Sequence, residues 1–571
     1  RVSGTFDSDD FGMNGVARFT FVSSAADTTA SLGQIVWPDG TRSKLLANRY
    51  VTATGSATDT DAKTEGDDKG SKGKDDDSNQ GDSEDDAQDT DGKAEKKPAG
   101  PALFAVNYPL GAFGVSEAAA SQHIVFRNAT VWTCGDAGIV KQASVLINDG
   151  KIVAVGTNIE VPAGAKEINL RGKHITPGII DCHTHMGTDG GVNESAQAVT
   201  AEVRIGDFID CNDITIYRHL AGGVTSANIL HGSANPIGGQ NQVIKLRWGA
   251  NDEELKFAEA PAGIKFALGE NVKQANWGDD YRTRYPQTRM GVEQLMRDEF
   301  EAAKEYVADW DRWKKTGNGL PPQRDLELDT IAEILAGKRW IHCHSYRQDE
   351  ILALIRVLDD YDVTIGTFQH ILEGYKVANE MAEHGAMGSA FSDWWAYKFE
   401  VFDAIPYDGA LMHNAGVVVS FNSDDRELAR HLNQEAAKAV KYGGLSPEEA
   451  LKFVTLNPAK QLRIDEHVGS IEVGKHADLA IWSARPLSNF ARCEQTWVDG
   501  KKFFDREDDA KLRSAAHEMR TALIQKVLAS GEKMKKPGEK DEDESGLWPR
   551  EDVFCFGNGL GNGHECVIHS K

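Results

Sequence analysis

Thr176-Pro-Gly-Ile-Ile-Asp-Cys-His-Thr-His-Met186 is the stretch that decides how this chain of 571 residues is read. A Pro-Gly turn opens an apolar run that delivers His183 and His185, two residues apart. In an extended strand, side chains at i and i+2 lie on one face, so both imidazoles can reach one metal ion. The spacing alone is weak. With 17 histidines in 571 residues, chance supplies about half of one such pair, the false-positive risk of any short motif. Its surroundings carry the reading, because further His and Asp candidates follow at the ends of apolar runs downstream.

Outward from this stretch, strand-like runs at 175–181, 224–230, 242–246, 263–268, 339–344, 363–368, 386–391 and 416–421 alternate with helical patterns. The helices are expected over 290–313, 325–336, 348–359, 375–384 and 426–441. Eight such runs are the count of a closed parallel barrel. The fold class expected is therefore α/β, a (β/α)8 TIM-like barrel over 175–464. Short β runs also precede it (Ile124-Val-Phe, Thr130-Val-Trp, 143–147, 151–155) and follow it (469–471, 477–482, 496–500). They predict one small β-sandwich built from both ends, 101–174 supplying its first part and 465–505 its second.

Residues 1–58 hold two strand-like pieces, 17–23 and 34–37, and read as an accessory β segment. Residues 59–100 contain no aromatic or β-branched aliphatic residue, so they are expected to be an acidic low-complexity linker or disordered loop. A calcium loop at Asp75-Asp-Asp lacks the fixed Gly and the distal Glu. Residues 506–571 read as a C-terminal helix and a Gly-rich tail.

The net charge of −25 argues against a nucleic-acid partner, since phosphate binding needs basic surface. No apolar run approaches the roughly 20 residues of a membrane span, so none is expected. Seven cysteines without a CxxC pair make neither a disulfide framework nor a structural zinc site. Cys182 and Cys343 read as small packing residues. Cys555 and Cys566, in the tail, are a candidate pair for an oxidising compartment. Together with the absent initiator Met they set an expectation of export, periplasmic or secreted, with the cytoplasm as the alternative. An oligomer is expected, with another subunit or a preceding domain as a further companion.

Barrel chemistry sits at the carboxyl ends of the strands. The polar residues there are His183 and His185, Lys265, His342 and His344, His370, and Asp424 with Asp425. Singly, each has a plain reading: His370 a hydrogen-bonded histidine, Asp424 a helix cap, Lys265 a lysine reaching for solvent. Together they fall at one end of alternating units, in an order that can surround one point. His231 and Gln240 lie in a Gly-rich loop beyond the second run, where backbone can approach a ligand, and are candidate substrate contacts. Tyr375 follows His370 and either bonds substrate or packs on the next helix.

The sequence resembles the amidohydrolase superfamily of metal-dependent hydrolases, particularly its imidazolonepropionase-like and prolidase-like group. The resemblance rests on Ile175-Thr-Pro-Gly-Ile-Ile-Asp-Cys-His-Thr-His, Ala221-Gly-Gly-Val-Thr-Ser, Ile341-His-Cys-His-Ser, Gln369-His370 and Ser420-Phe-Asn-Ser-Asp424. The closing Gly469-Ser-Ile-Glu-Val-Gly-Lys-His-Ala-Asp-Leu-Ala-Ile-Trp completes it, over roughly 121–505. The resemblance implies that His183, His185 and Asp424 hold one divalent ion, most simply zinc. His342 and His370 would hold a second, bridged by a carboxylated Lys265. His344, His231 and Tyr375 are left for substrate. Glu270 competes with Lys265, His344 with His342, and Asp425 with Asp424.

The implied activity is hydrolysis of an amide or peptide-like C–N bond in a small-molecule or peptide-like substrate, by a metal-activated water with Asp424 as the catalytic proton carrier. The alternatives are a deaminase or cyclic-amide hydrolase using the same ligands, and a non-catalytic barrel subunit of an assembly.

Overall fold

The computed structural model describes residues 2–7, 16–24, 27–37, 42–48, 107–188, 191–278, 282–394, 396 and 398–531. The chain divides into two units, Arg1–Ala99 and Gly100–Lys571. In the first, β1 (Val2–Asp7), β2 (Val16–Ser24), β3 (Asp27–Val36) and β4 (Arg42–Asn48) form an antiparallel sheet in chain order. Two of these strands go beyond the two pieces expected. β1 reads Val-Ser-Gly-Thr-Phe-Asp, too polar for apolar alternation to mark it. The acidic run 59–100 and the tail cysteines lie outside the described residues.

The second unit opens with β5 (Ile124–Trp132), β6 (Ile139–Asn148), β7 (Lys151–Gly156), β8 (Lys166–Asn169) and β9 (His174–Pro177). Then come β10 (Ile179–Thr184), β11 (Val224–Ile229), β12 (Ile237–Gln240), β13 (Gln242–Lys245) and β14 (Gly263–Ala267). β15 (Trp340–His344), β16 (Thr367–Gln369), β17 (Met387–Ala390) and β18 (Val419–Phe421) follow. The chain returns through β19 (Leu479–Trp482), β20 (Cys493–Val498) and β21 (Lys501–Asp505).

The β segments from the two ends share one eight-stranded sheet, in the order β21-β20-β19-β9-β5-β6-β7 with β8 on β5. β9 is the seam, antiparallel to β19 and parallel to β5. A compact apolar cluster including Phe126, Val145, Ile175, Leu479 and Trp497 packs against this sheet.

Between those ends the architecture is mixed α/β. β14 to β18 pair in parallel in chain order, as do β10 and β11. Helices Arg289–Thr316 and Leu326–Leu335 connect β14 to β15, and Gln348–Asp359 follows β15. Ala378–His384 and Asp408–Asn414 precede β17 and β18. Each lies within a few residues of the helical pattern expected where one was marked. Their apolar faces share a core with the strands, formed by residues such as Ile264, Phe266, Phe300, Ile341, Leu354 and Val419.

One expected barrel strand is corrected. Residues 242–246 do not take a third parallel place: β13 runs antiparallel to β11, with Ser226 opposite Lys245. A parallel pair needs a crossover, usually helical. The segment between β11 and β13 holds β12 instead, which pairs antiparallel with β14. Strand pairing among the described residues therefore gives a three-stranded and a six-stranded sheet, not a closed ring. The two still face a common interior: Cys182 Sγ on β10 lies 3.0 Å from Ser389 Oγ on β17 and 3.3 Å from Ser420 Oγ on β18.

The entry to β10 needs its glycine. A Cβ at Gly178 would stand 2.0 Å from Thr225 Oγ1. The turn that aims the His-x-His strand thus works only without a side chain.

The fully buried Lys245 on β13 joins the eight-stranded sheet to the α/β part. It pairs with Asp478 at 3.1 Å and with Asp499, and His476 Nδ1 lies 2.8 Å away. Breaking a buried pair from one side strands its partners. Lys245→Met should cost ~3–5 kcal/mol, read as a lower urea midpoint of unfolding; a change near zero would show these carboxylates to be solvated or protonated.

Candidate metal centre

His183, His185, His344, His370 and Asp424 lie at or beyond the carboxyl ends of parallel strands, whereas Lys265 and His342 sit within theirs. His183 is the penultimate residue of the buried strand β10, and His185 stands just past the strand. Lys265 is central in β14, opposite His342 of β15 in the parallel register. His344 ends β15, and His370 follows β16 directly. Asp424 lies beyond β18, where its amide donates to the His183 carbonyl at 2.9 Å.

His183 Nε2 and His185 Nε2 lie 3.1 and 3.0 Å from the same oxygen, Asp424 Oδ1. His370 Nε2 is 3.8 Å from Asp424 Oδ2. Among the described residues, His183, His185 and Asp424 form the one group of three whose ligand atoms all fall within 4.8 Å of one another. Lys265 Nζ is 3.1 Å from His183 Nε2, and His344 Nδ1 is 3.0 Å from His370 Nε2. His370 thus contacts His344 directly, whereas His342 is the cross-strand neighbour of Lys265. The His185 and Asp424 side chains keep 22% and 24% of their exposure while that of His183 keeps none, so the cluster opens on the His185–Asp424 side.

Burial sets the electrostatics. It holds the His183 and His344 imidazoles well below their ordinary value and takes His342 and His370 down to about 3. All four are neutral, the state in which an imidazole binds a metal. Burial lowers Lys265 to about 8. It opposes ionisation of Asp424 as well, but the surrounding imidazoles, His183 first, outweigh it and hold this carboxyl well below the ordinary range. Buried ring nitrogens without a hydrogen-bond partner remain on His183, His185, His342, His344 and His370. These are Nδ1 of His183, His185, His342 and His370 and Nε2 of His344, whereas the nitrogens that converge around Asp424 are Nε2 of His183, His185 and His370. Neutral imidazoles and an ionised carboxylate fit a divalent cation.

Two of these residues hold strained backbones: φ is +38° at His370 and +44° at Asp424. Left-handed conformations in non-glycine residues cluster at functional sites. The neighbouring Asp425 has a different job. Its Oδ1 accepts from the amides of Glu427 and Leu428 at 2.6 and 2.8 Å, so it caps the turn that Asp424 was equally placed to cap.

The remaining candidates separate. His231 is buried, with Nε2 accepting from the Glu194 amide and Nδ1 against the Gly232 carbonyl, both at 2.9 Å. Its ring holds two loops together and has no nitrogen left for substrate. Gln240 donates to the Ala201 carbonyl and to Thr330 Oγ1. The Tyr375 hydroxyl donates to the Asp403 carbonyl at 3.0 Å, and no contact among the described residues brings it to the histidines. Glu270 donates its amide to Glu400 Oε2, whereas Lys265 touches His183.

Asp181 was not picked out from the sequence. This buried carboxylate accepts from Ser423 Oγ at 2.5 Å, from the Ser423 amide at 3.1 Å and from the His183 amide at 3.3 Å. The signal was present, since Asp181, His183 and His185 share one face of the strand by the same alternation. Tyr346 and Phe391, also not picked out, pack on the His370 ring with centroids at 4.9 and 5.5 Å.

Residues 394–503 match the Amidohydrolase family. An amidohydrolase of Hapsidospora irregularis is 32% identical over 406 residues, 66% of this chain and 40% of that protein, so the chain spans two fifths of that relative's length. An imidazolonepropionase of Mesorhizobium japonicum is 40% identical over 407 residues, 63% of this chain and 91% of the relative. The crystal structure of an amidohydrolase from Thermotoga maritima MSB8 is similar with a TM-score of 0.62 and 34% identity, covering 67% of this chain and 100% of that one. With His183, His185 and Asp424 gathered at strand ends, and with a relative matched over nine tenths of its length, this chain belongs to the amidohydrolase superfamily.

Proposed function

We propose that this chain is a metal-dependent hydrolase that cleaves an amide or peptide-like C–N bond with water. The convergence of His183, His185 and Asp424 on one point carries this reading. Zinc suits the donor set best, two neutral imidazoles and a carboxylate. A divalent ion held there supplies Lewis acidity, polarising the scissile carbonyl and making water a nucleophile near neutral pH.

The chain's own groups do the rest. Asp424 is ionised and partly exposed, so it can take the proton of the attacking water and return it to the departing nitrogen. His344 spends Nδ1 on His370 and keeps Nε2 without a partner, which suits it to orient a polar group of the substrate. In the fuller form of the proposal, His342, His370 and a carboxylated Lys265 would hold a second divalent ion. The closeness of Lys265 Nζ to His183 supports it. Superfamily membership supports closure of the parallel strands β10, β11 and β14–β18 into a TIM-like barrel, with a sandwich built on the eight-stranded sheet.

A second reading has its own support. The 40% identity to an imidazolonepropionase favours a cyclic amide as the bond broken. Parallel assays on dipeptides and on cyclic amides, including imidazolonepropionate, separate the two.

His183→Ala and Asp424→Asn should each lose the bound divalent metal, measured by elemental analysis of the purified protein, and should lower kcat/KM by at least about a hundredfold. A wild-type protein that neither contains nor takes up a divalent ion would sink the proposal. Asp425→Ala is the contrasting case. Losing a cap costs about 1 kcal/mol of stability, seen as a lower midpoint of denaturation, while metal content should stay at the wild-type level.

A further inference from the structure

Outside the histidine cluster, a cavity of about 210 Å³ lies between helices Arg289–Thr316 and Gln348–Asp359 and is closed by Leu268 and Gly269 beyond β14. None of the site histidines lines it. Its floor is apolar, formed by Leu268, Met296, Leu354 and Val357, all buried. One corner is polar. Glu350 is only 5% exposed and pairs through Oε1 with Arg289 Nε, while its Oε2 is buried without a partner.

The other acids at the rim are already engaged. Asp349 is held by Arg347, and Glu293 by Arg297. The unanswered acceptor is therefore Glu350 Oε2, and a buried acceptor left unsatisfied is costly. Arg289 is 40% exposed at its side chain and uses only Nε on Glu350, which leaves the fork of its guanidinium for an anion.

Cation acceptor, anion donor and apolar floor together match one ligand class. We propose that this cavity binds a free α-amino acid with an aliphatic side chain. Its ammonium sits on Glu350 Oε2, its carboxylate on the Arg289 guanidinium, and its side chain on Leu268, Met296, Leu354 and Val357. The size agrees. A cavity of roughly 150 Å³ holds benzene, so this one holds about eight or nine non-hydrogen atoms, the size of valine or leucine. Burial raises the Glu350 carboxyl above the ordinary carboxylate value, a shift that a bound ammonium would reverse.

The cavity is close to the histidine cluster, since the Leu268 amide donates to the His344 carbonyl at 3.0 Å. The test must therefore tell the two places apart. Isothermal titration of the full chain with L-leucine should show saturable binding. L-leucinamide, which lacks the carboxylate, and N-acetyl-L-leucine, which lacks the ammonium, should each bind about tenfold more weakly or worse.

Ala353→Phe fills the cavity from a half-buried helix position and should abolish leucine binding with the helical signal intact. Glu350→Gln should weaken binding as the acetylated ligand does. His183→Ala should leave it unchanged, which keeps this inference separate from the proposed hydrolase. Absence of leucine binding at millimolar concentration overturns the proposal, as does equal affinity for all three ligands. Binding that survives Ala353→Phe but is lost in His183→Ala overturns it too, by placing leucine at the histidines. Should a variant fail to fold, the three ligands on the wild-type protein still decide.

Discussion

The hydrogen bond from the Asp424 amide to the His183 carbonyl is what the rest of the site hangs on. It joins the exit of the last parallel strand to the exit of the first, and Asp181 reinforces it. That carboxylate gathers the His183 amide, the Ser423 amide and the Ser423 hydroxyl, tying together segments 242 residues apart. The oxygen shared by His183 and His185 is therefore set by backbone and by a buried acceptor, not by a flexible side chain alone. A slip of one residue in β10 would turn Asp181, His183 and His185 to the opposite face together. The Pro-Gly entry opposes that slip, because a residue with a side chain in the place of Gly178 would set its Cβ 2.0 Å from Thr225 Oγ1.

Such a clamp is needed because the site is costly. Left-handed backbone at His370 and Asp424 stores strain, about 1–3 kcal/mol for each residue. Several imidazole nitrogens are buried without partners. A polar cluster of this kind persists only when its surroundings over-determine it. Here those surroundings are parallel strands buried on both faces and the long-range pairs that close over them, Lys245 with Asp478 and Asp499 among them.

Much of this could be read in the sequence, and the parts that could not have physical reasons. His183, His185, Lys265, His342, His344 and His370 were visible because apolar runs ended on them and alternation set their faces. Between Asp424 and Asp425 the residue pattern alone did not choose, and only the resemblance of Ser423-Asp424 to the superfamily motif favoured Asp424. Both are acids before a helical turn, and a positive φ at Asp424 is what sends one to the histidines and the other to the amides of Glu427 and Leu428. The run 242–246 has the composition of a buried strand in either direction; only the strand filling the connection before it made it antiparallel. His231 looked like a rim contact because it sits in a Gly-rich loop, but composition cannot report that both its nitrogens are spent on neighbouring backbone. Asp181 was hidden by its ordinariness, one acid in an apolar strand, although its alternation with His183 placed it on the working face.

The apolar residues behind the cluster explain why its histidines are neutral at all. Four imidazoles packed together in water would titrate near neutrality. Here Phe391 stacks on His370 with centroids 5.5 Å apart, Trp394 stacks on Phe391 at 4.3 Å, and Tyr346 covers both His344 and His370. These rings remove the water that would solvate an imidazolium, which is the burial that takes His370 down to about 3. The same exclusion leaves the open side of the cluster at His185 and Asp424, where reactants must enter. The aromatic wall and the carboxylate clamp thus divide the work: one fixes the charge state of the nitrogens, the other fixes where the oxygen stands among them.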